Sequence, residues 1–387
     1  MSASRWLAVV LAAVLLVCAG VWVAGRVERG GRASSPPAYT APQDAAVTVF
    51  EAREAPARTL RIEAATDVSF MRPMIENFQN RNPRIRILYI DRLSTALFQS
   101  ASRLCASAAR TADLYVTIST DHLVRLANDG CALKGPGNLA RDLPGWRNWR
   151  DEVVAFSLEP GVIVYNRRAV GAGQVPDDHA ELVALLRRQE QAWRGRIGAY
   201  DIEQSGSGYI FAERDSRESP LYGQLLESLG RSGVRLYCCS NTMVEAVASG
   251  EIVLAYNVQM SYAVAGLRQG HDIGVVLPDD YQAVLTRSTM IPKGAAEPEL
   301  ARLFVSYLVS PPGQEIARRQ GATPQLAAQL ERLTDGRMPS QAAVSPVLLR
   351  LQDQGRRERM IREWRQAIQA TSSVRDRRDI PVGVSAS

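Results

Sequence analysis

The sequence predicts an α/β protein in which parallel strands are flanked by helices, and three observations carry that reading. From residue 59 onward, short runs alternating with period two give way repeatedly to runs whose apolar residues recur at helical spacing. Ser, Thr, Asp and Asn stand at the boundaries between these runs, where helix-capping side chains belong. The chain has 387 residues, 46% hydrophobic and 22% charged, which suffices for two compact lobes or small domains with real cores.

Thr59-Leu60-Arg61-Ile62-Glu63-Ala64 alternates and reads as the first strand. Thr66, Asp67 and Ser69 then supply caps for a helix whose face is Phe70, Met74, Ile75 and Phe78, and Asn82-Pro83 stops it. A second strand covers 84–90, a short helix 96–105, and a third strand 114–118. Ser119, Thr120 and Asp121 cap the next helix, which holds Leu123, Leu126 and Ala127. Connections of this length between like strands give a parallel sheet with helices on its faces. A second block follows Trp149: strands at 153–156 and 162–165 flank Glu159-Pro160-Gly161, a turn or a crossing point. A helix over 180–193 leads to a strand at 195–200, and Ser205-Gly206-Ser207-Gly208 opens another helix. Asn241 and Thr242 stand before a helix at 243–248, strands follow at 252–256 and 273–277, and Pro278-Asp279-Asp280 breaks the pattern. From Pro298 the chain is mainly helical, with Leu300, Leu303, Phe304 and Leu308 on one face.

The two ends differ from this body. Residues 1–29 carry an apolar run from Trp6 to Ala24 behind Arg5 and ahead of Arg26 and Arg29. That pattern fits a secretory signal cut after Ala19, and it also fits an uncleaved membrane anchor, since spanning takes about 20 residues. A lipoprotein anchor at Cys18 is the weaker variant, because Val17 stands where a small residue is expected. Residues 30–57, rich in Gly, Ser and Pro, read as a flexible linker, and 371–387 as a disordered tail. In an oxidising compartment Cys105 and Cys131 can bridge, while Cys238-Cys239 can form a vicinal pair or stay as buried thiols. The net charge of +6 comes almost wholly from Arg, with Lys134 and Lys293 the only lysines. These charges alternate with acids and are not interleaved with aromatics, so a nucleic-acid partner is not expected.

Several segments together resemble the type 2 periplasmic solute-binding proteins of ABC-type transport systems, in the branch of ferric-ion-binding and phosphoglycerate-regulatory proteins. They are Val164-Tyr165-Asn166, Trp193-Arg194-Gly195-Arg196-Ile197-Gly198 with Asp201 and the Ser205–Gly208 turn, Ser249-Gly250-Glu251 ahead of Tyr256-Asn257, and Ile291-Pro292-Lys293-Gly294-Ala295 running into the helix at 301–314. The resemblance covers about two-thirds of the chain, roughly 59–317. It implies a two-lobed fold, each lobe a mixed sheet flanked by helices, with hinge crossings near 157–161 and 277–281. Lobe 1 would comprise 58–157 plus 282–345, lobe 2 would comprise 162–276, and C-terminal helices would fill 346–370. It further implies a periplasmic, monomeric protein that is held to the inner membrane if the N-terminal segment stays. Such a protein closes over a small-molecule ligand and passes it to a membrane permease, or reports it to a sensor histidine kinase.

In that fold the strand-to-helix turns line the cleft, and helix starts favour anions through unpaired N–H groups and the dipole. The expected ligand is therefore a small anion, phosphorylated or carboxylate. The candidate ligand-binding residues are Thr66, Asp67, Ser69, Ser119, Thr120, Ser205, Gly206, Ser207, Tyr256 and Asn257, with Gln259 and Tyr262 beside them. Arg72, Arg214 and Arg287 lie near these turns and can grip an anion in a two-pronged geometry. Ferric-ion relatives use adjacent tyrosines, whereas Tyr256 and Tyr262 here are separated, so no metal site and no cofactor is expected. No phosphate-cradling glycine motif follows a strand, no nucleophile elbow is present, and His122, His179 and His271 are scattered. The expectation is a binding protein and not an enzyme.

Overall fold

Two sheets share one long strand. The computed structural model describes residues 45–135, 137, 143–321 and 343–376. In the first sheet β2 (Arg58–Ala65) runs parallel to β3 (Ile85–Asp91) and β4 (Leu114–Thr117). Helices α1 (Val68–Arg81), α2 (Ser94–Ala106) and α3 (Thr120–Asn128) follow these three strands, as the alternating pattern requires. The Phe70, Met74, Ile75 and Phe78 stripe of α1 packs with Leu60, Ile62 and Ile87 of the sheet, each large side chain contributing about 1.5–3 kcal/mol.

Glu159-Pro160-Gly161 is not a turn. The chain passes through it as one 14-residue strand, β7 (Val153–Asn166). Its first half pairs antiparallel with β12 (Val284–Pro292), from Val153 opposite Met290 to Pro160 opposite Val284. Its second half pairs antiparallel with β10 (Leu254–Gln259) and β11 (Ile273–Val276). Beyond β10 lie β8 (Ile197–Tyr200) and β9 (Arg235–Tyr237), both parallel to it in sense. The result is a two-lobed α/β architecture, with β7 entering both sheets and β12 returning beside it. Helices α4 (His179–Arg188), α5 (Gly206–Glu218), α6 (Tyr222–Arg231), α7 (Ser240–Ser249) and α8 (Met260–Arg268) belong to the second sheet's part of the chain. Helices α9 (Pro298–Val309) and α10 (Pro311–Gly321) return to the first, where the Phe304 ring meets Phe78 edge-on at 4.9 Å.

Three stretches depart from the sequence reading. Part of the expected linker is strand β1 (Ala46–Phe50), antiparallel to β3. Gln79 holds its end, donating from Nε2 to the Phe50 and Glu51 carbonyls at 3.1 Å each. The chain after Asp279-Asp280 forms β12, which is buried along its whole length although it carries Thr286, Arg287, Ser288 and Thr289. At the far end α11 (Gln354–Asp376) extends past residue 370 into the stretch read as a disordered tail. Residues 1–44 and 377–387, with the signal or anchor reading and the rest of the linker and tail, lie outside the described residues. No described helix is long and apolar enough to cross a membrane.

The terminal segment touches both halves of the body. Val344 N–H donates to the Trp146 carbonyl at 2.8 Å, and the turn Pro346–Gln352 lies against α3, with Gln352 bonded to the Asp121 carboxylate. Arg350 then reaches Glu213 of α5 at 3.3 Å and Arg365 reaches Glu203 at 3.0 Å. Leu348, Leu351 and Trp364 share one apolar cluster with Leu123 of α3 and Leu225 and Leu229 of α6. Two disulfides are present. Cys105–Cys131 joins the end of α2 to the segment entering β5 (Ala132–Leu133), and Cys238–Cys239 is a vicinal pair just before α7.

Candidate functional site

A cavity of about 170 Å³ lies where helix starts from both lobes converge. The first lobe supplies Thr66 and Asp67 at the start of α1, and Asp91, Arg92, Leu93 and Ser94 at the start of α2. The second supplies Ser205, Gly206 and Ser207 at α5, Cys238 to Asn241 at α7, and Gln259 and Tyr262 at α8. Each of these turns follows a strand, so the right-handed strand–helix connection carries every helix start to the same edge of its sheet.

The helix starts are not equally satisfied. Asp67 caps α1, its Oδ1 accepting from Ser69 N–H at 2.7 Å, and Ser205 caps α5 by accepting from Gly208 N–H at 3.1 Å. Leu93, Cys239 and Gln259 occupy the cap positions of α2, α7 and α8 without a side-chain capping bond, and at α8 the Ser261 N–H donates to Glu159 at 3.3 Å instead. First-turn N–H groups at such ends have no intrahelical partner. Ser119, at the start of α3, is wholly buried and its hydroxyl also has no partner. Gly206 is the point of closest approach, because a Cβ there would clash with the hydroxyls of Ser119 and Ser94. Only glycine lets α5 of one lobe seat against α2 and α3 of the other.

Hydrogen bonds tie the lobes around the cavity. Asp67 N–H donates to the Tyr262 hydroxyl at 3.2 Å, and Asn241 Nδ2 donates to Asp67 Oδ2 at 3.3 Å. Beneath them Arg287 of β12, 1% exposed, forms an ion pair with Glu159 of β7, which is 0% exposed. The same guanidinium donates to Thr66 Oγ1 at 3.1 Å, Ser157 Oγ at 3.3 Å and Gln259 Oε1 at 3.3 Å, and its carbon sits 3.8 Å from the Phe70 ring centre. Arg287 thus holds both crossing strands and one cavity residue from each lobe.

The cavity's charge is uneven. Asp67 and Asp91 line it beside Arg92, whose guanidinium pairs with Glu63 at 2.8 Å. Burial, and next the nearby Asp67 charge, push the Asp91 carboxyl up to about 7, against the pull of the Val68 and Arg92 amides. Burial is also the main reason the Tyr262 hydroxyl is held well above its ordinary range.

Of the residues singled out from sequence, Thr66, Asp67, Ser205, Gly206 and Ser207 line the cavity, together with Asn241, Gln259 and Tyr262. Ser69 is exposed on the first turn of α1, and Ser119 stands behind Gly206. Thr120 turns into the body, donating to the Thr286 carbonyl at 2.7 Å. Tyr256 and Asn257 form a separate cluster, both donating to Asp215 Oδ2, at 2.9 and 2.7 Å, while Tyr281 donates to Oδ1 at 2.9 Å. Arg214 is buried away from the cavity, and Arg72 is an outer-face residue 4.9 Å from the Phe50 ring centre. Sequence reading passed over Asp91, Arg92, Ser94 and the cysteine pair, although Asp91 to Ser94 occupy the same strand-to-helix position as Thr66 to Ser69. Among the described residues no group of three or more His, Cys, Asp or Glu is placed to hold a metal ion.

Residues 60–323 match the family model described as bacterial extracellular solute-binding protein. The chain belongs to this family. A solved substrate-binding protein of an ABC transporter from Agrobacterium tumefaciens is 33% identical, with a TM-score of 0.78 over 85% of this chain and 100% of that one. AfuA from Actinobacillus pleuropneumoniae, solved with exogenous fructose-6-phosphate, shares the fold at 17% identity and TM-score 0.62, over 80% of this chain and 98% of its own. Iron-bound HitA from Pseudomonas aeruginosa does so at 16% identity and TM-score 0.57, over 80% and 99%. Among curated proteins no match was found by sequence. This solute-binding protein is thus of the ABC-transporter type, a class of extracytoplasmic binding proteins and not of enzymes.

Proposed function

We propose that this solute-binding protein captures a small anion, phosphorylated or carboxylate, between its lobes and delivers it to an ABC-type membrane permease. The observation that carries the reading is the convergence of helix starts from both lobes on one small cavity, two of them, α2 and α7, without a side-chain cap. Oriented N–H dipoles of this kind bind negative charge. Closure would bend the chain near 157–161 and 277–281, with lobe 1 formed by 58–157 plus 282–345 and lobe 2 by 162–276. Delivery to a permease is preferred to reporting to a sensor kinase because the relative at 33% identity is a component of an ABC transporter. A ferric-ion role is disfavoured because the Tyr256 hydroxyl already donates to Asp215, away from the cavity. On this reading the segment at 1–29 sends the protein to the periplasm, as a cleaved signal or a retained anchor, and the protein works as a monomer.

A thermal-melt screen tests the proposal. A phosphorylated or carboxylate anion present at 100 times its Kd should stabilise the protein by about 2.7 kcal/mol. A shift with ferric ion alone, with a phenolate-to-metal colour band, would overturn it.

A further inference from the structure

The cavity has two chemically unlike ends. At one end lie the starts of α2 and α5 with the hydroxyls of Ser94, Ser205 and Ser207, whereas Asn241 at the start of α7 donates to Asp67 Oδ2. Behind Gly206 on this side is the buried Ser119 hydroxyl that has no partner. At the other end the start of α1 is already occupied by the protein's own carboxylates. Asp67 accepts from Ser69 N–H, and the Val68 amide already pulls on the Asp91 carboxyl. A ligand anion placed there would meet Asp67, Asp91 and no open helix end, so its negative group belongs at α2 and α5.

We infer that the cavity takes a small zwitterion, its anionic head at the starts of α2 and α5 and an ammonium group between Asp67 and Asp91. This rests on the anion-binding reading above and adds a second pole to it. Charge balance favours an ammonium over a hydroxyl at that pole. Among the described lining residues Arg92 is the one cation, and it is paired with Glu63; Arg287 beneath is paired with Glu159. Among the described residues the two cavity carboxyls therefore lack a counter-charge, and the pull of the Val68 and Arg92 amides does not keep Asp91 from being pushed up to about 7. A hydroxyl would donate one hydrogen bond and leave the excess negative charge in place, whereas an ammonium brings three donors and offsets one unit of that charge. Size narrows the class further. A cavity of about 170 Å³ is close to the ~150 Å³ that accommodates benzene, which corresponds to about six to eight non-hydrogen atoms. An ammonium joined to a carboxylate or phosphonate by a two-carbon chain fits that limit.

Calorimetric titration of the full-length protein near neutral pH separates the possibilities with matched probes. β-Alanine and aminoethylphosphonate carry both poles; propanoate and ethylphosphonate carry the anion alone; ethylamine carries the amine alone. Hydroxyethylphosphonate replaces the ammonium by a hydroxyl in the same shape. At least one two-pole probe should bind at least about tenfold more tightly than its anion-only and hydroxyl counterparts, as expected for hydrogen bonds to charged groups. Asp91→Asn should lower the preference for aminoethylphosphonate over hydroxyethylphosphonate by at least about tenfold. If the anion-only or hydroxyl probes bind as well as the amino ones, the ammonium pole is wrong while the anion reading stands. If ethylamine matches the two-pole probes, the anion reading falls and the inference falls with it. Failure of both two-pole probes to bind also overturns the inference.

Discussion

Replacing Arg287 by Met removes the cation from a site where, among the described residues, no other cation balances Glu159. Both side chains are at most 1% exposed, and the Glu159 carboxylate would retain only the Ser261 N–H at 3.3 Å as a donor. Removing one member of a buried pair costs about 3–5 kcal/mol, because the survivor stays charged in a low-dielectric setting. The loss should be toward the upper end, since Thr66 Oγ1 and Gln259 Oε1 lose their guanidinium donor and Phe70 loses a stacked cation. The double variant Glu159→Gln with Arg287→Met should recover most of that loss, as no buried charge remains. Urea denaturation of the wild type, both single variants and the double variant forms a cycle that reads the coupling directly. A loss below about 1 kcal/mol for Arg287→Met, or additive single and double effects, would refute the reasoning. Solute binding should fail in Arg287→Met as well, because Thr66 and Gln259 both line the cavity.

Other outcomes follow from the same geometry. The folded protein holds the Asp91 proton up to about 7, so this group's contribution to stability is complete below the unfolded value and is lost as pH rises through 7. Melting curves should therefore show Asp91→Asn gaining on the wild type between about pH 4 and about pH 7, and a constant difference would count against the assignment. Gly206→Ala places a methyl against the Ser119 and Ser94 hydroxyls, so titration with a bound solute should show at least about tenfold weaker affinity. The Cys105–Cys131 bridge closes a separation of 26 residues, and replacing both cysteines by Ser should lower stability by about 3–4 kcal/mol on the chain-entropy estimate. Trp364→Ala in α11 removes a side chain that is 6% exposed and should cost about 3–5 kcal/mol in urea denaturation.

Much of the first lobe was legible because its signals are local. Leu60 and Ile62 alternate, Phe70 to Phe78 recur at helical spacing, and Asp67 and Ser205 are capping residues that do cap. The same rule exposed half of the cavity wall. What stayed hidden depends on residues distant in sequence. β12 is sandwiched between β4 and β7, so its Thr, Arg and Ser find partners on neighbouring elements, and it shows no apolar/polar alternation to mark it as a strand. Arg287 read as a candidate to grip an anion, because nothing near it in sequence announces Glu159, its ion-pair partner. Asn257 has φ of +58° at an irregularity in the β10 pairing. That local twist accompanies the turn of Tyr256 and Asn257 toward Asp215, and alternation alone cannot reveal it. β1 was obscured by Pro and Ala on both sides of a five-residue strand whose Val47 and Val49 face outward.

The terminal segment makes the resting posture of the molecule a property of its whole length. Asp121 sits on one half, Glu203 and Glu213 on the other, and Gln352, Arg365 and Arg350 of one segment grip all three. Spreading the halves must break the grip on one side or drag the last helix along. The fraction of molecules ready to receive a solute is then set partly at a place no solute touches, and apparent affinity scales with that fraction. A chain shortened before residue 343 would keep every cavity side chain and still report a different dissociation constant.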